Sequence, residues 1–214
     1  MSTQLQNDFI TAEEYLRLER AAEFKSEYYN GVIYAMAGAR RKHVRIVTSI
    51  IYVLESQLRE RDCNVYTNDL RVCVDPVKGL YTYPDTIVTC GEEKYLDNQF
   101  DTLLNPVTII EVLSESTAKY DQSAKFELYA EVESLKEYVL VAQNRVSVSY
   151  FSRQPEGKWL LTSAQKLSDT LHFGAIDCQL KLTDVYAKVD VKEGFEALTE
   201  EDIKRLKGKT YYDE

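Results

Sequence analysis

Histidine is scarce: this 214-residue chain has only two, His43 and His172. Neither is placed to activate a serine, so Ser114 and Ser116 do not read as nucleophiles. Cysteine is sparse and never spaced as CxxC: Cys63, Cys73, Cys90 and Cys178 stand apart, which argues against a structural zinc site. Cys73 and Cys90 lie in apolar, alternating contexts and read as core thiols; with no secretion signal, all four are expected reduced. No apolar run approaches the length of a bilayer span, and Met1 to Asp8 lacks the basic-then-apolar order of a secretory leader. The expectation is a cytoplasmic protein with no membrane partner. Positive charge is also short. The formal net charge of −9 excludes a surface that coats nucleic acid broadly. There are no internal repeats, low-complexity segments or obvious linkers, so residues 1–190 read as one domain, followed by a charge-rich tail over 191–214. That tail has a candidate short helix from Thr199 to Lys207.

The chain does hold buried-looking acids. Tyr83-Pro84-Asp85 opens one apolar run, and Ile109-Ile110-Glu111-Val112-Leu113 holds a second acid in another. A carboxylate in a buried strand needs a cation, a metal or a hydrogen-bond network. Two of them on candidate neighbouring strands point to a hard-metal site and hydrolytic chemistry. Mg²⁺ or Mn²⁺ prefers such oxygen ligands, and the carbonyl of Val112 is a further candidate. Lys125 follows on a predicted helix, where its amine could orient an attacking water or stabilise developing charge. The plainer readings are a strand-end cap for Asp85 and a solvated helix face for Lys125.

The periodicities supply the scaffold. Thr11-Ala12-Glu13-Glu14 is a capping box that opens a helix through about Arg20. Asn30-Gly31 predicts a hairpin turn between Tyr28-Tyr29 and Val32 to Met36. Val44, Val47, Ile50, Ile51, Leu54 and Leu58 recur at three and four and predict a helix from His43 to about Arg61. Strands are expected at Val65–Thr67, Leu70–Val74, Tyr81–Cys90, Pro106–Leu113, Glu137–Ala142, Val146–Phe151 and Lys158–Ser163, with a helix from Tyr120 to about Glu131. The Pro106–Leu113 run is apolar on both faces apart from Glu111 and reads as a central strand. Short strands are expected between Ser168 and Tyr186. The pattern gives an α/β (α+β) fold, a central mixed β-sheet flanked by α-helices.

Arg40, Arg41, Lys42, His43 and Arg45 form the densest basic cluster, at a helix start where the dipole does not favour it. It reads as a solvated loop or as a contact for a DNA backbone. His43 could be a cap-region residue or a phosphate contact. Arg71 could project into the cleft beside Asp69 or pair with an acid. Glu27 could face solvent before the hairpin.

Taken in order and spacing, these stretches resemble the Uma-two family of restriction endonuclease-like proteins, within the PD-(D/E)XK nuclease superfamily. The resemblance runs from roughly Phe9 to Tyr186. It is carried by Glu27-Tyr28-Tyr29-Asn30-Gly31, Ala35-Met36-Ala37-Gly38, His43-Val44-Arg45-Ile46, Asp69-Leu70-Arg71-Val72 and Tyr83-Pro84-Asp85. It continues through Asn105-Pro106, Glu111 to Thr117, Tyr120-Asp121, Lys125 to Tyr129 and Glu137 to Val141. The resemblance implies a restriction endonuclease-like fold and a Mg²⁺-dependent DNA endonuclease. Pro84-Asp85 matches the PD element and Glu111 the acid of (D/E)XK, but the lysine slot holds Leu113. Lys125 is the candidate replacement, and Glu27 matches an extra acid that many members carry. A homodimer is expected, because one active site cuts one strand. Two other functions fit the residues. One is a catalytically inactive nuclease fold serving as a nucleic-acid-binding or assembly module. The other is a glycosidase with paired acids.

Overall fold

In the computed structural model, residues 9–76, 79–113 and 124–193 are described. Helix α1 (Ala12–Ala21) starts where Thr11 Oγ1 accepts the Glu14 N–H at 3.2 Å, and it buries Tyr15 and Leu16. Strands β1 (Ser26–Tyr29) and β2 (Val32–Ala35) form the expected hairpin. Asn30 and Gly31 both take positive φ, and a Cβ at Gly31 would lie 2.2 Å from the Phe9 ring. The positive φ favours glycine there, and any side chain would have to displace the Phe9 ring.

Helix α2 (Arg41–Leu58) buries Ile46, Ile50, Leu54 and Leu58, one per turn. It begins two residues before His43, and its N-cap, Arg40, makes no side-chain cap bond. The following elements are β3 (Cys63–Thr67), β4 (Arg71–Asp75), β5 (Leu80–Thr82), β6 (Thr86–Cys90), β7 (Thr102–Leu103) and β8 (Thr108–Leu113). After them come α3 (Ala124–Ala130), β9 (Glu137–Ala142), β10 (Val148–Arg153), β11 (Trp159–Ala164), β12 (Thr170–Phe173), β13 (Cys178–Lys181) and α4 (Leu182–Val185).

The fold is mixed α+β, as expected, but the strands divide among three sheets. A six-stranded sheet has the order β11-β10-β9-β8-β6-β3, a five-stranded one β2-β1-β5-β4-β7, and β12 pairs with β13 alone. The six-stranded sheet is a mixed one: β8 and β9 run parallel, while its other pairs are antiparallel. Parallel neighbours require a crossover, and α3 lies in it. Strand β8 is central, and all six of its residues are buried.

The single strand expected over Tyr81–Cys90 is in fact two. Pro84 has no N–H to give a ladder, and the chain changes sheets there: β5 pairs with β1 and β4, β6 with β3 and β8. A second correction concerns the thiols. Cys63 and Cys90 form a disulfide, because the β3–β6 register sets them directly opposite each other. Cys73 and Cys178 are free and buried, and burial pushes the Cys73 thiol up to about 11. The turn expected at Ser114–Thr117, the residues Tyr120–Ser123 of the expected helix and the tail helix at Thr199–Lys207 lie outside the described residues. Residues 191–193 are attached to the domain: the Val146 N–H bonds the Lys192 carbonyl, and the Leu167 N–H bonds Glu193 Oε1.

The β8 face that carries Ile110 and Val112 packs on α2, β13 and α4. The opposite face, with Ile109 and Leu113, packs with Tyr129 of α3 and with Val132 and Leu135 of the segment that follows the helix. Period-two alternation puts Glu111 on this second face. The segment that delivers Asp85 is braced from α1. Buried Glu19 accepts bonds from Tyr83 Oη and the Ser26 N–H, both at 2.9 Å. Arg71, only 3 % exposed, donates to Tyr83 Oη and Thr102 Oγ1 and ion-pairs with Asp101 at 3.0 Å. Asp101 also pairs with Arg20, chiefly through hydrogen bonds that hold its carboxyl well below the usual carboxylate range.

A carboxyl depressed in the folded state stabilises above its unfolded pKa, and that contribution is lost as pH falls through the folded value. Asp101→Asn is therefore expected to lower stability by about 1 kcal/mol at pH 7, the screened worth of a partly exposed pair. In urea titrations the gap to wild type should close as pH falls below about 4.

Candidate active site

Antiparallel register brings the two acids together. Thr86 of β6 lies opposite Ile110 of β8, so one step further Asp85 stands beside Glu111. Each acid accepts a backbone N–H from the other's segment. Val112 N donates to Asp85 Oδ2 at 2.7 Å, and Asp85 N donates to Glu111 Oε2 at 3.3 Å. Both residues are buried, at 8 % and 5 % exposure.

The sequence-predicted amine arrives from α3. Lys125 Nζ lies 2.8 Å from Glu111 Oε1 and 3.1 Å from Glu27 Oε1, and its side chain is almost fully buried. Glu27 reaches the same place from β1, where the Tyr83 N–H points at its Oε1 at 3.5 Å. Leu113, in the slot where the motif has lysine, packs instead beneath α3 with Tyr129, Val132 and Leu135. The strand position is filled by core, and the helix above it supplies the cation. Asp85, Glu111, Lys125 and Glu27, drawn from both large sheets and α3, thus form one cluster.

The basic residues divide. His43, in the first turn of α2, sets its Nε2 2.9 Å from Asp85 Oδ1, so it belongs to the acidic cluster rather than to an outer patch. Arg40, Arg41 and Lys42 are exposed beside it at the α2 N-terminus, with the Lys42 amine on the Asp190 carbonyl. Arg71 follows the second of its two readings: its side chain is buried, and it pairs with the partly exposed Asp101.

Two contributors escaped the sequence. Tyr129 Oη donates to Glu111 Oε1 at 3.3 Å and shares a 2.8 Å hydrogen bond with Thr82 Oγ1. Both residues are fully buried. Tyr129 reads as apolar core in the sequence; the available signal was its i+4 spacing from Lys125, which puts both on one helix face. Burial above all, and the negative Glu111 and Glu27, push its hydroxyl well above the usual phenol range, against Lys125.

Among the described residues, no three His, Cys, Asp or Glu side chains form a ready-made metal cage. The donor chemistry nevertheless fits a hard divalent cation. Glu111 and Glu27 share one lysine ammonium, Asp85 stands beside Glu111, and every acidic donor atom is oxygen. Asp85 and Glu111 are the residues that would hold such an ion, with the Val112 carbonyl next to them in β8.

Removing one member of a buried ion pair costs about 3–5 kcal/mol. Lys125→Met should lower unfolding free energy by about that amount at pH 7. Adding Glu111→Gln should recover part of it, a coupling that a double-mutant cycle in urea measures.

The family model Uma2, described as "Putative restriction endonuclease", matches residues 12–183. Two relatives come from Synechocystis sp. The uncharacterized protein slr1290 is 33 % identical over 177 residues, 83 % of this chain and 91 % of its own length. The uncharacterized protein sll1609 is 35 % identical over 153 residues, 72 % of this chain and 86 % of its own. A crystal structure from Anabaena variabilis, described as a putative nuclease belonging to DUF820, superposes with a TM-score of 0.69. It covers 83 % of this chain and 98 % of its own at 19 % identity, a likeness of fold. With a match spanning both acids, Lys125 and the sheets that position them, the chain belongs to the Uma2 family of restriction endonuclease-like proteins.

Proposed function

We propose that this protein is a Mg²⁺- or Mn²⁺-dependent endonuclease that hydrolyses phosphodiester bonds in DNA. The observation that carries this reading is the convergence of Asp85 and Glu111 on neighbouring strands, with Lys125 and Glu27 beside them. A divalent ion bound there supplies Lewis-acid polarisation of the phosphoryl oxygen and a water of lowered pKa. Asp85 is already oriented for ligation by the Val112 amide on one oxygen and His43 on the other. Lys125 can donate to the attacking water or to the charge that develops on the phosphate. Its present contacts with Glu111 and Glu27 set its amine within the cluster, the position that the residue at Leu113 does not serve.

The substrate's backbone would lie against the start of α2. Arg40, Arg41 and Lys42 are exposed there, and the positive end of the helix dipole adds to their field. A local basic site within a chain of net charge −9 makes binding weak at high salt. Two copies acting together would cut both strands, which sedimentation at micromolar concentration can check.

Purified protein should nick or cut plasmid DNA with Mg²⁺ or Mn²⁺ and not with EDTA. Asp85→Asn and Glu111→Gln should each lower the rate by about 100-fold or more while keeping the native circular dichroism. Metal binding without cleavage of any DNA or RNA form would sink the enzymatic reading and leave a nucleic-acid-binding module. Replacing Arg40 and Arg41 together with Gln should weaken binding uniformly across sequences. It should also flatten the slope of log K against log salt by about 0.9 for each phosphate that the protein no longer neutralises.

A further inference from the structure

Glu111 has a carboxyl plane that its own torsion fixes poorly, because terminal sp³–sp² rotations are broad. Its orientation must come from bonding partners. Oε2 takes the Asp85 N–H, while Oε1 takes Lys125 and the Tyr129 hydroxyl. Lys125 is a flexible point charge, shared with Glu27. Tyr129 is the rigid partner: its ring is fully buried among Leu113, Val132, Leu135 and Tyr138. Its ring also lies 5.9 Å from Lys125 Nζ, so one side chain touches both the acid and the amine.

The hydroxyl of Tyr129 has one proton to give, and its oxygen can accept another bond. Given to Glu111, that proton leaves the oxygen to accept from Thr82 Oγ1, 2.8 Å away. The resulting chain, Thr82 to Tyr129 to Glu111, links β5 of one sheet, helix α3 and β8 of the other. We propose that Tyr129 is a positioning residue that sets the rotation of the Glu111 carboxylate for metal ligation, with Thr82 directing the tyrosine's proton toward it. This rests on the metal-site reading above, and it assigns work to two neutral hydroxyls that touch neither metal nor substrate in that reading.

The test is Mn²⁺ affinity by titration calorimetry on the intact protein. Tyr129→Phe keeps the ring and its packing and removes only the hydroxyl. It should weaken Mn²⁺ binding by about 10–100-fold, the usual effect of losing a partner that orients a ligand. Thr82→Val should weaken binding in the same direction. The double variant should lose about as much as Tyr129→Phe alone, because the two hydroxyls act as one chain. Unchanged Mn²⁺ affinity in a folded Tyr129→Phe, even with a lower melting temperature, would make the hydroxyl merely structural and overturn the proposal. Should that variant not fold, unchanged affinity in Thr82→Val would overturn it instead. Absence of Mn²⁺ binding by the wild type would overturn the metal reading itself, and this proposal with it.

Discussion

The buried meeting of Asp85 and Glu111, with Lys125 joining Glu111 to Glu27, is the constraint on which the rest of the structure depends. Ionised carboxylates lose several kcal/mol each when taken out of water, so their solvation must be replaced by fixed donors. Here those donors come from three elements: the Val112 amide of β8, His43 of α2, and Lys125 and Tyr129 of α3. Asp85's own amide joins them, turned back on Glu111. The bonds between Asp85 and β8 need the six-stranded sheet, the His43 contact needs α2 as well, and the Lys125 bridge to Glu27 needs α3 and the second sheet. The arrangement therefore couples the geometry of the site to the global fold.

Burial of an acid does not by itself make such a centre. Glu137, at the start of β9, is just as deeply buried, at 1 % exposure. Its oxygens take Thr108 Oγ1 at 2.7 Å, Tyr150 Oη at 2.8 Å and the Ala175 N–H at 2.9 Å, all neutral donors. A single carboxylate can be satisfied this way, as a structural strut. At the sheet junction Glu111 lies beside Asp85 and shares an amine with Glu27, and neutral donors cannot cancel repulsion between neighbouring carboxylates. A cation offsets it, and among the described residues Lys125 bridges Glu111 and Glu27 while His43 meets Asp85.

Much of this was legible in the sequence, for reasons that differ by residue. Helix α2 announced itself because Ile50, Leu54 and Leu58 recur with the helical period. Glu111 stood out because a charge interrupts an otherwise apolar central strand. Lys125 emerged from the missing lysine at Leu113 together with the family resemblance. Other features depend on register or cover, which local pattern does not contain. The split of Tyr81–Cys90 into β5 and β6 is hidden because residues on both sides of Pro84 are strand formers; only their partners differ. The Cys63–Cys90 bond needs the β3–β6 register. Arg71 alternates like any strand residue, and α1 with the segment around Asp101 decides that it is internal. Tyr129 was hidden by its own ring, since an aromatic on the apolar face of a helix reads as packing whatever its hydroxyl does.

Leucine at position 113 has a structural consequence. A lysine at position 113 would share the β8 face with Glu111, two residues along, and would project into the cluster where Tyr129, Val132 and Leu135 pack. Leucine there joins the apolar cluster that Tyr129 of α3 completes. The first turn of the same helix carries Lys125, whose amine reaches both Glu111 and Glu27. Tyr129, one turn later, is buried beside Thr82. Leucine on the strand and lysine on the helix are thus linked: the helix whose Tyr129 shares an apolar cluster with Leu113 is the helix that delivers the charge.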